Sequence, residues 1–208
     1  MSDAITKATL PPRLAAVFRL LRSGRHVSRE DGAEFLDLDR NAEQYSHLLS
    51  GLGYELRHHA QGFYYLEGSG AVRAERMRAA LVFLLILFQD LDEKKFQSDE
   101  RAWERTLLRR TFRIAELPHF HTAQRRAMMS AVDVDEAGLS RVLQFLERLG
   151  VVQLLPEGQF GFLAPVHRFV DLCVRYAEDG TWSEKSGGEE RGPPARDQAL
   201  DDDEEEAQ

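Results

Sequence analysis

A single cysteine, Cys173, stands in the 208 residues, so no internal disulfide framework holds this chain, and the usage fits a reducing cytosol. Nor is any apolar run long enough for a membrane. The most apolar stretch, "AALVFLLILF" (Ala79 to Phe88), gives way to Gln89 and Asp90 after ten residues, whereas a span needs roughly 20. The opening "MSDAITKATLPPRL" lacks a cationic stretch leading into an apolar core, and no signal peptide is expected. The Walker motif, G-x-G-x-x-G and G-x-S-x-G are missing as well, which removes the usual marks of nucleotide binding and of a hydrolase nucleophile. No paired acid, base or nucleophile stands out, so the chain is expected not to be an enzyme. Surplus positive charge is also lacking. The formal net charge is -8, but ten acidic and three basic residues fall from Thr181 onward, which puts -7 there and leaves -1 for the first 180 residues. Neither a strongly basic nucleic-acid binder nor an acidic scaffold follows from such a balance.

What is present is an element written twice. "LGYELRHHAQGFYYL" (Leu52 to Leu66) and "LGVVQLLPEGQFGFL" (Leu149 to Leu163) share their length, a Leu-Gly opening, a central turn and a Phe-x-aromatic-Leu ending. Alternating apolar residues around a Gly-bearing turn predict a β-hairpin in each. Upstream of the first, Pro11 and Pro12 open a helix striped by Leu14, Val17, Phe18 and Leu21 and ended by Gly24. A short extended step follows, then a second helix capped by Ser28 with Asp31 three residues on. A third helix runs from Arg40 to about Leu52, capped by Asp39, with Tyr45, Leu48, Leu49 and Leu52 on one side. Helix, step, helix, helix, hairpin is the winged-helix order.

The second half repeats it. "RAWERTLLRRTFRIAEL" reads as a helix burying Leu107, Leu108, Phe112 and Ile114. Thr122 caps "AQRRAMMSAV", Asp135 caps the helix that reaches Leu149, and the second hairpin turns at Pro156, Glu157 and Gly158. Between the halves, "AVRAERMRAALVFLLILFQDLDEKKF" is a helix that is basic at its start (Arg73, Arg76, Arg78) and apolar nearly all round in its middle, so it must be covered on every side, most easily by a partner chain. The resulting division is a flexible start over 1–9, a first winged-helix domain over 10–70, and a linking and dimerising helix over 71–97. A second winged-helix domain with a C-terminal helix bearing Val166, Phe169, Val170 and Cys173 follows over 98–178, and a disordered acidic tail over 179–208. The fold class is mainly α with small β-hairpin wings.

Candidate sites are few. His58 with His59, and His119 with His121, are the densest histidines, and without a Cys or a second ligand pair beside them they read as surface or capping residues with no metal. Cys173 reads as a structural thiol on an apolar stripe. The third helices offer Arg40 against Asp39 and Glu43, and Arg141 and Arg148 against Asp135, Glu136 and Glu147, which is no surplus for phosphates. Cations concentrate instead in Arg105, Arg109, Arg110 and Arg113, three of them at i, i+4 spacing, and in Arg125 and Arg126. The plainer reading of these is a solvated face paired with local acids, and the functional alternative is non-specific contact with a duplex backbone.

The stretch "RHVSREDGAEFLDLDRNAEQYSHLLSGLGYELRHHAQGFYYL", followed by "LVFLLILFQDLDEKKF", resembles the MksE subunit of bacterial Mks (MukBEF-like) condensins, a group that includes the related Wadjet plasmid-defence subunit. The resemblance runs from about Pro11 to Tyr176. It implies a tandem winged-helix protein of the kite type, homodimeric, that grips an MksF-like kleisin bridging an MksB-like SMC ATPase. The expected role is a non-catalytic subunit, without cofactor, cytoplasmic and nucleoid-associated. It would act in chromosome segregation or plasmid defence and meet DNA non-specifically within the complex. The dimer or partner contact is expected at Leu81, Phe83, Leu84, Leu85, Leu87 and Phe88. The rival reading is a winged-helix transcription regulator bound to an operator.

Overall fold

The computed structural model describes residues 10–68, 74–95 and 107–179, with the side chains of 92–95 and 174–179 excepted. The expectations for the first nine residues, Arg73, Arg105 and the acidic tail lie outside the described residues. Helix α1, Leu14–Arg22, follows Pro11 and Pro12 and buries Val17 and Leu21, four residues apart on one face. Gly24 takes φ +88°, a conformation that costs glycine little, and releases the chain into the extended step. There Val27 exchanges two backbone hydrogen bonds with Tyr64, at 2.8 and 2.9 Å.

Two expected caps are placed differently. The Asp31 carboxylate does accept from Ser28 N at 3.0 Å, but the turn it closes is a single 3₁₀ turn, Arg29–Asp31, and Gly32 at φ +58° separates that turn from α2, Ala33–Arg40. Asp39 caps nothing. It lies inside α2 and accepts from the Tyr64 hydroxyl at 2.9 Å, a buried phenol that needs an acceptor more than a helix end does. The break before α3, Ala42–Ser50, falls at Asn41, whose amide donates back to Asp37 O at 2.9 Å. Tyr45 and Leu49 bury the inner face of α3, whereas Leu52 has passed the helix end and is 64 % exposed. The first wing is the expected hairpin. Strand β1, Glu55–His59, pairs antiparallel with β2, Phe63–Glu67, placing Leu56 opposite Leu66 and His59 opposite Phe63.

In the second half, α4 spans Ala74–Lys95. The helix expected to reach Leu117 ends at 109. Thr111–Arg113 is instead strand β3, with Phe112 facing inward and Thr111 and Arg113 outward. It closes a three-stranded sheet of order β3-β5-β4, in which β4 is Val152–Leu155 and β5 is Gln159–Phe162. Phe112 lies opposite Phe160 there, as Val27 lies opposite Tyr64 in the first half, so β3 is the second copy of the extended step. Leu107 and Phe112 are buried as expected, while Leu108 is exposed and Ile114 half-buried. Thr122 caps α5, Ala123–Ser130, through its hydroxyl, which accepts from Arg125 N at 3.2 Å. Asp135 accepts from Gly138 N at 2.7 Å in the turn just before α6, Leu139–Arg148. The turn Pro156–Gly158 and helix α7, Val166–Asp179, complete the order. The chain is thus mainly helical with small antiparallel hairpins, a tandem winged-helix arrangement. No helix among the described residues is long and apolar enough to cross a membrane.

The described residues form two cores. The first gathers Val17, Leu21, Val27, Phe35, Leu38, Tyr45, Leu49, Tyr64 and Leu66. The second is built around α4, whose Phe83, Leu84, Ile86 and Leu87 meet Met129 of α5, Leu143 and Leu146 of α6, Phe160 of β5 and Phe169 of α7. The helix expected to be covered by a partner chain is therefore covered mostly by its own.

Candidate functional site

Four of the six residues expected at a dimer or partner contact are internal. Leu81, Phe83, Leu84 and Leu87 belong to the second core, none more than 7 % exposed. Leu85 and Phe88 are half-buried, and the Phe88 ring stands 6.5 Å from that of Phe162. Along α4 the outer stripe reads Arg78, Val82, Leu85 and Gln89, at i, i+4, i+7 and i+11, with only Val82 and Leu85 apolar. Any surface this helix offers another chain centres on those two, with Phe88 at its margin.

The arginines do not form the expected stripe. Arg109 ends a helix, Arg110 follows it with its guanidinium 5.0 Å from the Phe112 ring centroid, and Arg113 is on β3, 3.5 Å from Glu116. The i, i+4 spacing loses its meaning once the chain turns extended at Thr111. Arg125 points inward and holds Asp90 at 2.8 Å, and Arg126 donates to Phe120 O at 2.7 Å. On the third helices, the exposed residues of α3 are Glu43, Ser46, His47 and Ser50, with no Lys or Arg. Those of α6 are Ser140, Arg141, Gln144 and Arg148, because Glu147 turns to the wing and accepts from Leu154 N at 3.0 Å.

Of the histidines singled out in the sequence, His119 is fully buried, stacked 4.2 Å from the Phe83 ring and 2.9 Å from Phe83 O through Nε2, leaving Nδ1 without a partner. Burial lowers its pKa to about 4. His58 and His59 stack on Tyr64 and Phe63 across the first hairpin. Among the described residues no three His, Cys, Asp or Glu side chains are placed to hold a metal. The Cys173 thiol, half-buried on α7, is pushed up to about 11 by desolvation and stays protonated.

The densest polar geometry was not singled out by the sequence. It is a seam between the two modules. His26, just before the extended step, donates its backbone N–H to Leu149 O at 2.9 Å and directs Nδ1 at the same oxygen at 3.0 Å. That geometry protonates Nδ1 and leaves Nε2 as acceptor for the Arg168 guanidinium of α7, at 2.9 Å. Arg168 lies over the Tyr65 ring of the first wing, 3.9 Å from its centroid. Beside it, His59 of β1 meets Asp171 of α7 at 3.0 Å. Arg25 holds Asp31 at 2.7 Å and donates to Glu147 O at 3.1 Å, placing a cation on the C-terminal carbonyls of α6. These contacts join residues up to 142 positions apart, and no local periodicity encodes them.

Gly150 fits the seam by having no side chain. It takes φ +74°, ending α6 with Gly150 N–H to Glu147 O and Val151 N–H to Leu146 O, and an added Cβ would stand 2.8 Å from His26 O. Gly158 has φ +67° but open space around it. Gly150→Ala therefore suffers both strain and a backbone clash, and is expected to cost about 3 kcal/mol in urea unfolding, against about 1 kcal/mol for Gly158→Ala. Equal costs at the two positions would remove the close approach from the account.

The family model of the condensin complex protein MksE matches residues 12–174, from just before α1 into α7. No curated protein matches the chain.

Proposed function

We propose, from the premise that this chain belongs to the MksE family of condensin complex proteins, that it grips the kleisin of an SMC complex and thereby shapes the ring that entraps DNA. The observation that carries this reading is the extent of the family match, which takes in both winged-helix modules and the seam that joins them. A subunit that works by holding other chains needs two modules fixed relative to each other, and the His26, Arg25 and Arg168 contacts supply that. It has no need of a cationic reading helix, and α3 exposes neither Lys nor Arg. In this reading the chain hydrolyses no ATP, a task left to an SMC-like ATPase reached through the kleisin. It pairs with a second copy across the outer stripe of α4, and the assembly serves chromosome organisation or the exclusion of plasmid DNA.

Co-expression with a condensin kleisin and its coiled-coil ATPase tests the proposal. A stable complex on size-exclusion chromatography with light scattering is expected, the kleisin being retained when the ATPase is omitted. Gel shifts with the isolated chain are expected to show weak, salt-sensitive binding without sequence preference. A lone monomer that ignores the kleisin and selects one operator sequence would instead establish a transcription regulator.

A further inference from the structure

We propose that Arg168 forms a carboxylate socket at the seam between the modules, and that its ligand is an acidic side chain from this chain's own tract Asp201–Glu206. Three arginines point inward along the described fold. Arg25 holds Asp31 at 2.7 Å and Arg125 holds Asp90 at 2.8 Å. Arg168 is half-buried too, yet its one hydrogen bond among the described residues goes to the neutral His26 ring and its flat face to Tyr65. Glu67 of the first wing acts on it electrostatically but is bonded to Arg57 at 2.6 Å, and Asp171 of α7 is bonded to His59 at 3.0 Å. A guanidinium taken partly out of water with no carboxylate bonded to it is unfavourable, and it retains donors in a planar fork that matches a carboxylate. Those donors are reachable, because the only buried side-chain nitrogen or oxygen without a partner among the described residues is His119 Nδ1.

The anion that fits is covalently attached. Arg168 is in the first turn of α7, which ends eleven residues later at Asp179, about 16 Å away at the helical rise. Another 22 residues lead to Asp201, a length that spans up to about 75 Å when extended. The tract is six consecutive acids in a segment of net charge -7, while the first 180 residues carry -1. Tethering raises its local concentration far above that of a free acidic peptide. Arg19, Arg22, Arg141 and Arg148 are exposed on helix faces, where a carboxylate gains little over water. The stacked, partly desolvated Arg168 is the stronger anion site.

The test uses the full chain with a nitroxide on Gln208→Cys in a Cys173→Ser background, read by paramagnetic broadening of backbone amides. At about 50 mM salt the broadening is expected to centre on Tyr65 and Arg168, and to vanish at about 0.5 M salt, where exposed charges are screened. It is expected to weaken in Arg168→Lys, which keeps the charge and loses the fork. Should that variant fold poorly, replacing Asp201–Glu206 by Asn and Gln leaves every described residue intact and must abolish the effect. Broadening centred on α1 or α6, spread evenly over the exposed arginines, or absent at low salt would overturn the proposal. These outcomes are independent of whether the chain binds a kleisin.

Discussion

Leu84→Asp is expected to unfold the second module, while Leu85→Asp next to it leaves the fold intact. Leu84 is fully buried among the side chains that α5, α6, β5 and α7 bring to α4. Removing its isobutyl group and burying a carboxylate among apolar side chains combines a cavity with an unpaired charge, at a cost of at least about 5 kcal/mol. That is a large part of the roughly 5–15 kcal/mol by which a native domain is stable. Leu85 lies on the outer stripe with Val82, and its replacement is expected to cost about 1 kcal/mol or less. If the outer stripe is where two copies meet, Leu85→Asp halves the mass seen by light scattering with little change in thermal midpoint. A Leu84→Asp protein that stays soluble, folded and unchanged in mass would overturn the placement of α4 in the core. A Leu85→Asp protein that stays dimeric would move the self-association surface away from this helix.

The contrast between these neighbours shows what the sequence could and could not say. A helix apolar nearly all round must be covered, and periodicity states that much without identifying the cover. Four elements recruited from 45 to 85 residues downstream of Leu84 provide it here, a tertiary outcome with no local mark. The hairpins were legible because their turns are local chemistry. Gly62 has φ +78°, Glu157 φ +60° and Gly158 φ +67°, and Gly-bearing turns between alternating residues announce this directly. The Thr122 cap and the Asp135 turn were legible for the same reason. Asp39 misled because an acid near a helix start is ordinarily a cap, and here the Tyr64 hydroxyl, arriving from 25 residues away, claims it.

Strand β3 was hidden more deeply. Thr111, Phe112 and Arg113 stand inside a run of Arg and Leu that favours helix, and only the open edge of β5, supplied by the second wing, makes the extended form better. Comparing the halves would have found it. The first needs an extended step against its wing at Val27, so the second needs one too, and Phe112 is that residue. The same comparison removes the basis for the basic stripe, since three arginines at helical spacing cannot share a face across a strand. The seam lay beyond any such reading, because His26 and Arg168 acquire their partners only when the two modules meet.

Acid is expected to weaken the fold through two histidines. Burial, then the nearby Arg168, lower His26 from 6.5 to about 3, against the raising effect of its bond to Leu149 O, with His59 and Arg25 adding to the lowering. Burial lowers His119 from 6.5 to about 4, with Phe83 O and Asp90 opposing and Arg125 and His121 assisting. Both rings are therefore neutral in the native protein at pH values where the unfolded chain has already protonated them. Below pH 6.5 the unfolded state binds more protons, so stability falls as pH falls, and above 6.5 neither ring contributes any pH dependence. Each loses about 1.4 kcal/mol per pH unit across that window, so moving from about pH 7.5 to about pH 5 removes about 4 kcal/mol between them. Urea unfolding at several pH values reads this as an uptake approaching two protons between pH 6 and 5. His119→Gln, which keeps a donor for Phe83 O, is expected to reduce the uptake to about one proton whatever its effect on stability at neutral pH. A stability that stays flat down to pH 5 would mean that both rings can take up a proton in place. That in turn would require the seam around His26 to open without unfolding, and the two modules to be separable units held together only by the neutral form of one ring.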